Sequence, residues 1–159
     1  MKQKTLSKWL KAILIGTAIC GLVFCLYILP DWGKDMAEQY PEFAGAYWPW
    51  LIFLWVTAVP CYIALALGWT IAGNMGNDRS FCAENAKYLK WISWLAAGDS
   101  AFFFTGNIVL LFLNMNHPGI VFLSMAVVFA GIAVTVAAAV LSHLVRKAAD
   151  LQEESDLTI

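Results

Sequence analysis

Four stretches of the chain, about residues 12–29, 50–72, 91–113 and 119–145, are continuously apolar, and together they contain a single charged side chain, Asp99. A hydrocarbon core about 30 Å thick needs roughly 20 apolar helical residues, so each stretch predicts a membrane-spanning helix. Charged residues, Pro or Gly bound every one. The first stretch follows Lys2, Lys4, Lys8 and Lys11, as a signal peptide would, but its apolar run exceeds the roughly 7–15 residues of such a leader. It reads as an uncleaved span.

The polar intervals set the remaining organisation. Residues 31–47 form an outer loop carrying Asp31, Asp35, Glu38 and Glu42 among aromatic and small residues, a pattern suited to a short amphipathic helix at the headgroup level. Asn114 to Pro118 is a tight turn that makes spans three and four antiparallel neighbours. The inner loop, residues 73–90, opens with Gly73, Asn74, Gly76 and Asn77, which end the second helix. Ser80 is the predicted N-cap of the next helix. The tail, residues 146–159, stays compatible with helix while turning acidic, and Leu144, Ala148 and Leu151 fall at helical spacing as a narrow apolar stripe.

Composition agrees with lipid: 61% of the 159 residues are hydrophobic and 13% charged. The net charge of −1 says little, because the basic residues are segregated. Lys2, Lys4, Lys8, Lys11, Arg79, Lys87, Lys90, Arg146 and Lys147 all fall on one side of the predicted spans, and only Lys34 on the other. The positive-inside rule therefore predicts that both termini are cytoplasmic. Aromatic belts mark the two interfaces: Trp9, Trp69, Trp91 and Trp94 inside, and Trp32, Tyr40, Phe43, Tyr47, Trp48 and Trp50 outside. The expected fold is an all-α, integral membrane four-helix bundle in one domain, in a bacterial cytoplasmic (inner) membrane.

Helices in lipid associate through close packing at small residues. Thr17, Gly21 and Cys25 recur at four-residue spacing in span one, as do Gly131, Thr135 and Ala139 in span four, and these faces are expected to pack. Pro60, in the middle of span two, removes the hydrogen bond to the Val56 carbonyl and makes a kink or hinge there.

Asp99 is the candidate intramembrane site. It lies roughly 13 Å along the helix from Lys90, where a charge costs on the order of 2.5–3.5 kcal/mol on insertion scales, so it should face protein. Ser100, Phe103, Gly106 and Asn107 fall near its face on a helical wheel, and level counting places Tyr62 at similar depth. A hydrogen bond between Asp99 and Tyr62 is the resulting expectation, with Asn107 as an interhelical hydrogen-bond former.

Other chemistry is thin. The four cysteines, Cys20, Cys25, Cys61 and Cys82, read as reduced thiols, and neither His117 nor His143 completes a metal-ligand spacing, so no metal or cofactor is expected. No cluster of Glu, His or Asp lies in the spans, and no nucleophile has a base at useful spacing, which argues against an intramembrane enzyme.

Three segments carry a resemblance: Val59, Pro60, Cys61, Tyr62, Ile63, Ala64 in span two; Phe81 to Lys90 before span three; and Val140 to Ile159, ending Asp156, Leu157, Thr158, Ile159. Over essentially its whole length the chain resembles the YoaS-like family of small bacterial membrane proteins, catalogued as a domain of unknown function. The resemblance implies four transmembrane helices and supplies no enzymatic activity. Members are often encoded beside a small helix-turn-helix regulator, which suggests a membrane partner for a cytoplasmic DNA-binding protein.

Three functional readings follow. The first is a signalling or regulatory interaction protein, itself not binding nucleic acid, that docks a cytoplasmic partner through its inner loop helix and through Leu151, Glu153, Glu154, Asp156, Leu157 and Ile159. The second is a transporter or channel using Asp99 and the kink at Pro60; four helices are few for a monomeric pathway, so it would be a homo-oligomer. The third is an immunity protein whose acidic outer loop meets a membrane-active peptide.

Overall fold

The computed structural model describes the backbone of residues 3–157 and the side chains of 3–155. Its elements are α1 (Gln3–Val23), a π-helical turn (Phe24–Ile28), α2 (Leu29–Gln39), a 3-10 segment (Pro41–Ala46), α3 (Tyr47–Gly76), α4 (Ala83–Phe112) and α5 (Pro118–Leu157). Four continuous helical runs, Gln3–Gln39, Pro41–Gly76, Ala83–Phe112 and Pro118–Ser155, are long and apolar enough to cross a membrane. The all-α, multi-pass architecture read from hydropathy is therefore the observed one.

The helices follow one another in space as they do in sequence. Helix α1 packs on α3, α3 on α4, and α4 on α5, and among the described residues no Cα of α1 lies within 8 Å of α4 or α5. The bundle is thus open on the side between its first and last spans. Its interior is correspondingly small, with Leu51, Phe53, Ala72, Ala86, Leu110, Ala138 and Val145 among the few buried apolar side chains. Most large apolar residues face outward, as they must where the solvent is hydrocarbon.

Small residues govern each interface. The Tyr62 ring reaches α1 at Gly21, where a Cβ would sit 2.8 Å from its hydroxyl oxygen. At Gly106 a Cβ would collide with the Phe53 ring, and at Gly131 with the Ser100 hydroxyl. The predicted stripes at Gly21 and Gly131 therefore do mark packing faces. The α4–α5 seam repeats every seven residues: Ala86, Ser93, Ser100 and Asn107 on α4 are buried, and Ser124, Ala138 and Val145 on α5 fall on the matching period. A seven-residue repeat keeps one stripe facing its partner along a supercoiled pair.

Several local expectations change. The outer segment is helical, but it is not a separate surface helix beginning at Asp31; α2 continues from the first span with no break at Pro30. Proline is tolerated there because a π-turn precedes it, in which the Leu29 amide bonds the Phe24 carbonyl five residues back. The N-cap position of α4 is Cys82, without a side-chain cap, and not Ser80. Ser80 instead donates to Gln3 Oε1 at 2.9 Å. The inner loop is closed by Asn85, 2% exposed, whose Nδ2 donates to the Arg79 and Ser80 carbonyls, both at 3.1 Å. Its Oδ1 accepts from Asn74 at 2.7 Å.

At the opposite end Asn114 takes a left-handed conformation, φ 55°, and the Met115 amide returns to the Leu110 carbonyl at 2.9 Å, so α4 ends in a Schellman-type turn. Pro118 then opens α5 with its fixed φ.

Candidate functional site

Asp99 projects from α4 towards α3. Its Oδ2 accepts from the Cys61 thiol, Sγ to oxygen 3.8 Å, while Oδ1 is shielded from solvent and has no hydrogen-bond partner. Among the described residues no cation pairs with it.

The expected bond to Tyr62 is absent. The Tyr62 hydroxyl donates to the Ala18 carbonyl of α1 at 2.9 Å. The level was right and the face wrong: successive helical residues point about 100° apart, and α3 lies between α1 and α4. Cys61 therefore meets α4 while Tyr62 meets α1.

Ser100 and Asn107 leave the Asp99 site as well, because they belong to the seam with α5. The Ser100 hydroxyl donates to the Ala96 carbonyl of its own helix at 2.7 Å and packs against Gly131. Asn107 is fully buried; its Nδ2 donates to the Phe103 carbonyl at 2.9 Å, and its Oδ1 accepts from Asn116 at 3.3 Å. Asn107 thus braces the α4–α5 turn, and Asn116 is its partner. Phe103 stacks on Phe53 with ring centroids 5.6 Å apart. The four residues expected to form one polar site are distributed over three interfaces.

Pro60 lies within α3, which remains helical through it. The tail residues Leu151, Glu153 and Glu154 are exposed on α5, which continues through Asp156 and Leu157; Ile159 and the Asp156 and Leu157 side chains lie outside what is described. The seam between α4 and α5 contains hydrogen bonds that hydropathy alone does not reveal. Ser93 donates to the Thr135 carbonyl at 2.9 Å and Ser142 to the Ala86 carbonyl at 2.6 Å. The seven-residue spacing of Ala86, Ser93, Ser100 and Asn107 was the signal for them.

The site sets one thiol against one carboxylate, the Cys61 thiol donating to Oδ2 and Oδ1 left without a hydrogen-bond partner. The family model described as "Protein of unknown function (DUF2975)" matches residues 31–159. The chain belongs to that family. It is also 29% identical over 160 residues to the "Uncharacterized membrane protein YoaS" of Bacillus subtilis (strain 168), covering 99% of each chain. No solved structure matches. The DUF2975 match begins just after Pro30 and takes in α2 from Asp31 onward and α3 through α5, including Asp99 and the whole tail.

Proposed function

We propose that this DUF2975 protein is a membrane-anchored interaction protein that docks a cytoplasmic regulator on the loop-proximal end of α4 and the acidic end of α5, with both termini in the cytoplasm. The observation that carries it is the length of α5. Its 40 residues extend about 60 Å, twice the roughly 30 Å hydrocarbon core, so a rigid helix stands clear of the membrane. On that extension Leu151 is exposed, 58%, beside the acidic residues, and Leu144, 56% exposed, continues its stripe at the inner end of the span. An amphipathic stripe held on a rigid element suits helix-in-groove recognition. The sidedness rests on Lys4, Lys8, Lys11, Arg79, Lys87, Lys90, Arg146 and Lys147 gathering at the end that carries both termini.

A photo-crosslinking residue at Leu151 should capture a cytoplasmic helix-turn-helix protein, and deleting Glu153 to Ile159 should remove the crosslink while membrane insertion persists. A crosslink and co-purification unchanged by the deletion would end this reading. A second reading, an oligomeric transporter or channel, draws on the unpartnered Oδ1 of Asp99. Flux in reconstituted vesicles that survived Asp99→Asn would count against it.

A further inference from the structure

A groove of about 1170 Å³ runs between α4 and α5 at the end of the molecule that carries both termini. Each helix contributes one stripe to it. Lys87, Lys90, Trp91 and Trp94 line it from α4, and Ala139, Ser142, His143 and Arg146 from α5, both at the i, i+3, i+4, i+7 spacing of a single helix face. Small residues make the room, with Ala86, Ser93, Ala139 and Ser142 as the floor.

The floor hydroxyls are already committed, Ser93 to the Thr135 carbonyl and Ser142 to the Ala86 carbonyl. Recognition is left to the cations. Lys87 and Lys90 have no ion-pair partner among the described residues, and Arg146 has only a 3.9 Å approach to exposed Asp150. The carboxylate on the groove, Glu84, is taken by Arg79 at 3.2 Å.

The groove is graded along the membrane normal. The Ser142 to Ala86 and Ser93 to Thr135 bonds fix the antiparallel register, which puts Arg146 outermost, then Lys87, then Lys90, with Trp91 and Trp94 deepest. The two indoles are 56% and 67% exposed. A charged mouth above an aromatic wall matches a molecule with a phosphate at one end and acyl chains at the other, whereas a free phosphate would make no use of the lower half. Basic pockets between transmembrane helices near the interface bind anionic headgroups in this way.

We propose that this groove is a binding site for an anionic phospholipid, its phosphate held by Lys87, Lys90 and Arg146 and its chains laid against Trp91 and Trp94. The site is separate from Asp99; it shares the loop-proximal end of α4 with the proposed docking surface, whose α5 part lies beyond Arg146.

Native mass spectrometry of the detergent-solubilised full chain, titrated with phosphatidylglycerol or phosphatidylcholine, tests it. The wild type should retain phosphatidylglycerol preferentially. The Lys87→Gln/Lys90→Gln/Arg146→Gln variant should lose that retention on the order of a hundredfold, since each interfacial cation contributes roughly fivefold. A variant with equal charge removed elsewhere, Lys4→Gln/Lys8→Gln/Lys147→Gln, should keep it. Equal losses in the two variants would overturn the site in favour of diffuse surface charge. Displacement of the lipid by millimolar inorganic phosphate would overturn the lipid as its occupant. Should the triple variant not fold, brominated phosphatidylglycerol added to the wild type and to Trp91→Phe/Trp94→Phe decides the matter. Quenching should fall in the double variant, and quenching that is unchanged would overturn the proposal.

Discussion

The Trp55 indole on α3 donates its Nε1 proton to the backbone carbonyl of Cys25, 2.9 Å away in the π-turn of the first span. That carbonyl precedes Pro30 by five residues. In the π register set by the Leu29 amide and the Phe24 carbonyl, the next bond would come from residue 30, and proline has no amide proton to give. A backbone carbonyl in hydrocarbon cannot turn to water instead. Trp55 supplies the missing proton, so the helix passes Pro30 intact and continues as α2.

Trp55→Phe should therefore destabilise the protein in detergent by about 0.6 kcal/mol, the average for interhelical hydrogen bonds in membranes, and by no more than about 1.7 kcal/mol, the largest found. Pro30→Ala restores an amide beside the same carbonyl. In the Pro30→Ala background the cost of Trp55→Phe should shrink, which thermal unfolding of the four proteins of the cycle would measure. Equal costs in both backgrounds would show that the indole and the proline are not coupled.

Gly106 and Phe53 define the α3–α4 contact. A Cβ on Gly106 would overlap the Phe53 ring, and that ring has little freedom to retreat, being held between Trp50 at 5.7 Å, Phe102 at 5.5 Å and Phe103 at 5.6 Å. Gly106→Ala should cost about 1–3 kcal/mol by overpacking. Phe53→Leu should recover part of the loss in the double variant, and an unfolding midpoint for Gly106→Ala equal to the wild type would contradict the contact.

These relationships also show where sequence reading succeeds. The four spans were legible because a bilayer imposes length and apolarity on every crossing segment, whatever its neighbours. Packing faces at Gly21 and Gly131 were legible because small residues are what allow backbones to approach in lipid. The partner of Asp99 was not legible, since depth can be counted along a helix but rotation about its axis depends on which neighbour lies where. One residue of rotation separates Cys61 from Tyr62, and only the order α1, α3, α4 decides between them. The role of Ser80 was missed for a related reason: Asn85, one turn into α4, closes the loop by reaching back to the Arg79 and Ser80 carbonyls.

Asn107 is fully buried and, among the described residues, is the only side chain to which Asn116 donates at the α4–α5 turn. Asn107→Ala removes that acceptor and leaves Asn116 with the Asn107 backbone carbonyl alone. A loss of about 1–3 kcal/mol is expected, as for other buried polar groups deprived of a partner. Unfolding in detergent reads it directly, and a neutral substitution would mean that the turn is held by its backbone bonds alone.

Asp99 offers the opposite case. A structural anchor earns its place through the bonds it makes, yet Oδ1 makes none and Oδ2 accepts only from a thiol at 3.8 Å, a weak donor. Replacing the carboxylate by the isosteric amide removes a charge that costs on the order of 2.5–3.5 kcal/mol at depth on insertion scales, and it sacrifices no strong hydrogen bond. Asp99→Asn should accordingly leave the unfolding midpoint unchanged or raise it. A drop of more than about 1 kcal/mol, the net worth of an ordinary hydrogen bond, would show that Asp99 has partners stronger than Cys61. A stable variant would instead separate the residue's presence from the needs of folding, and flux or partner capture would be the properties to measure on it.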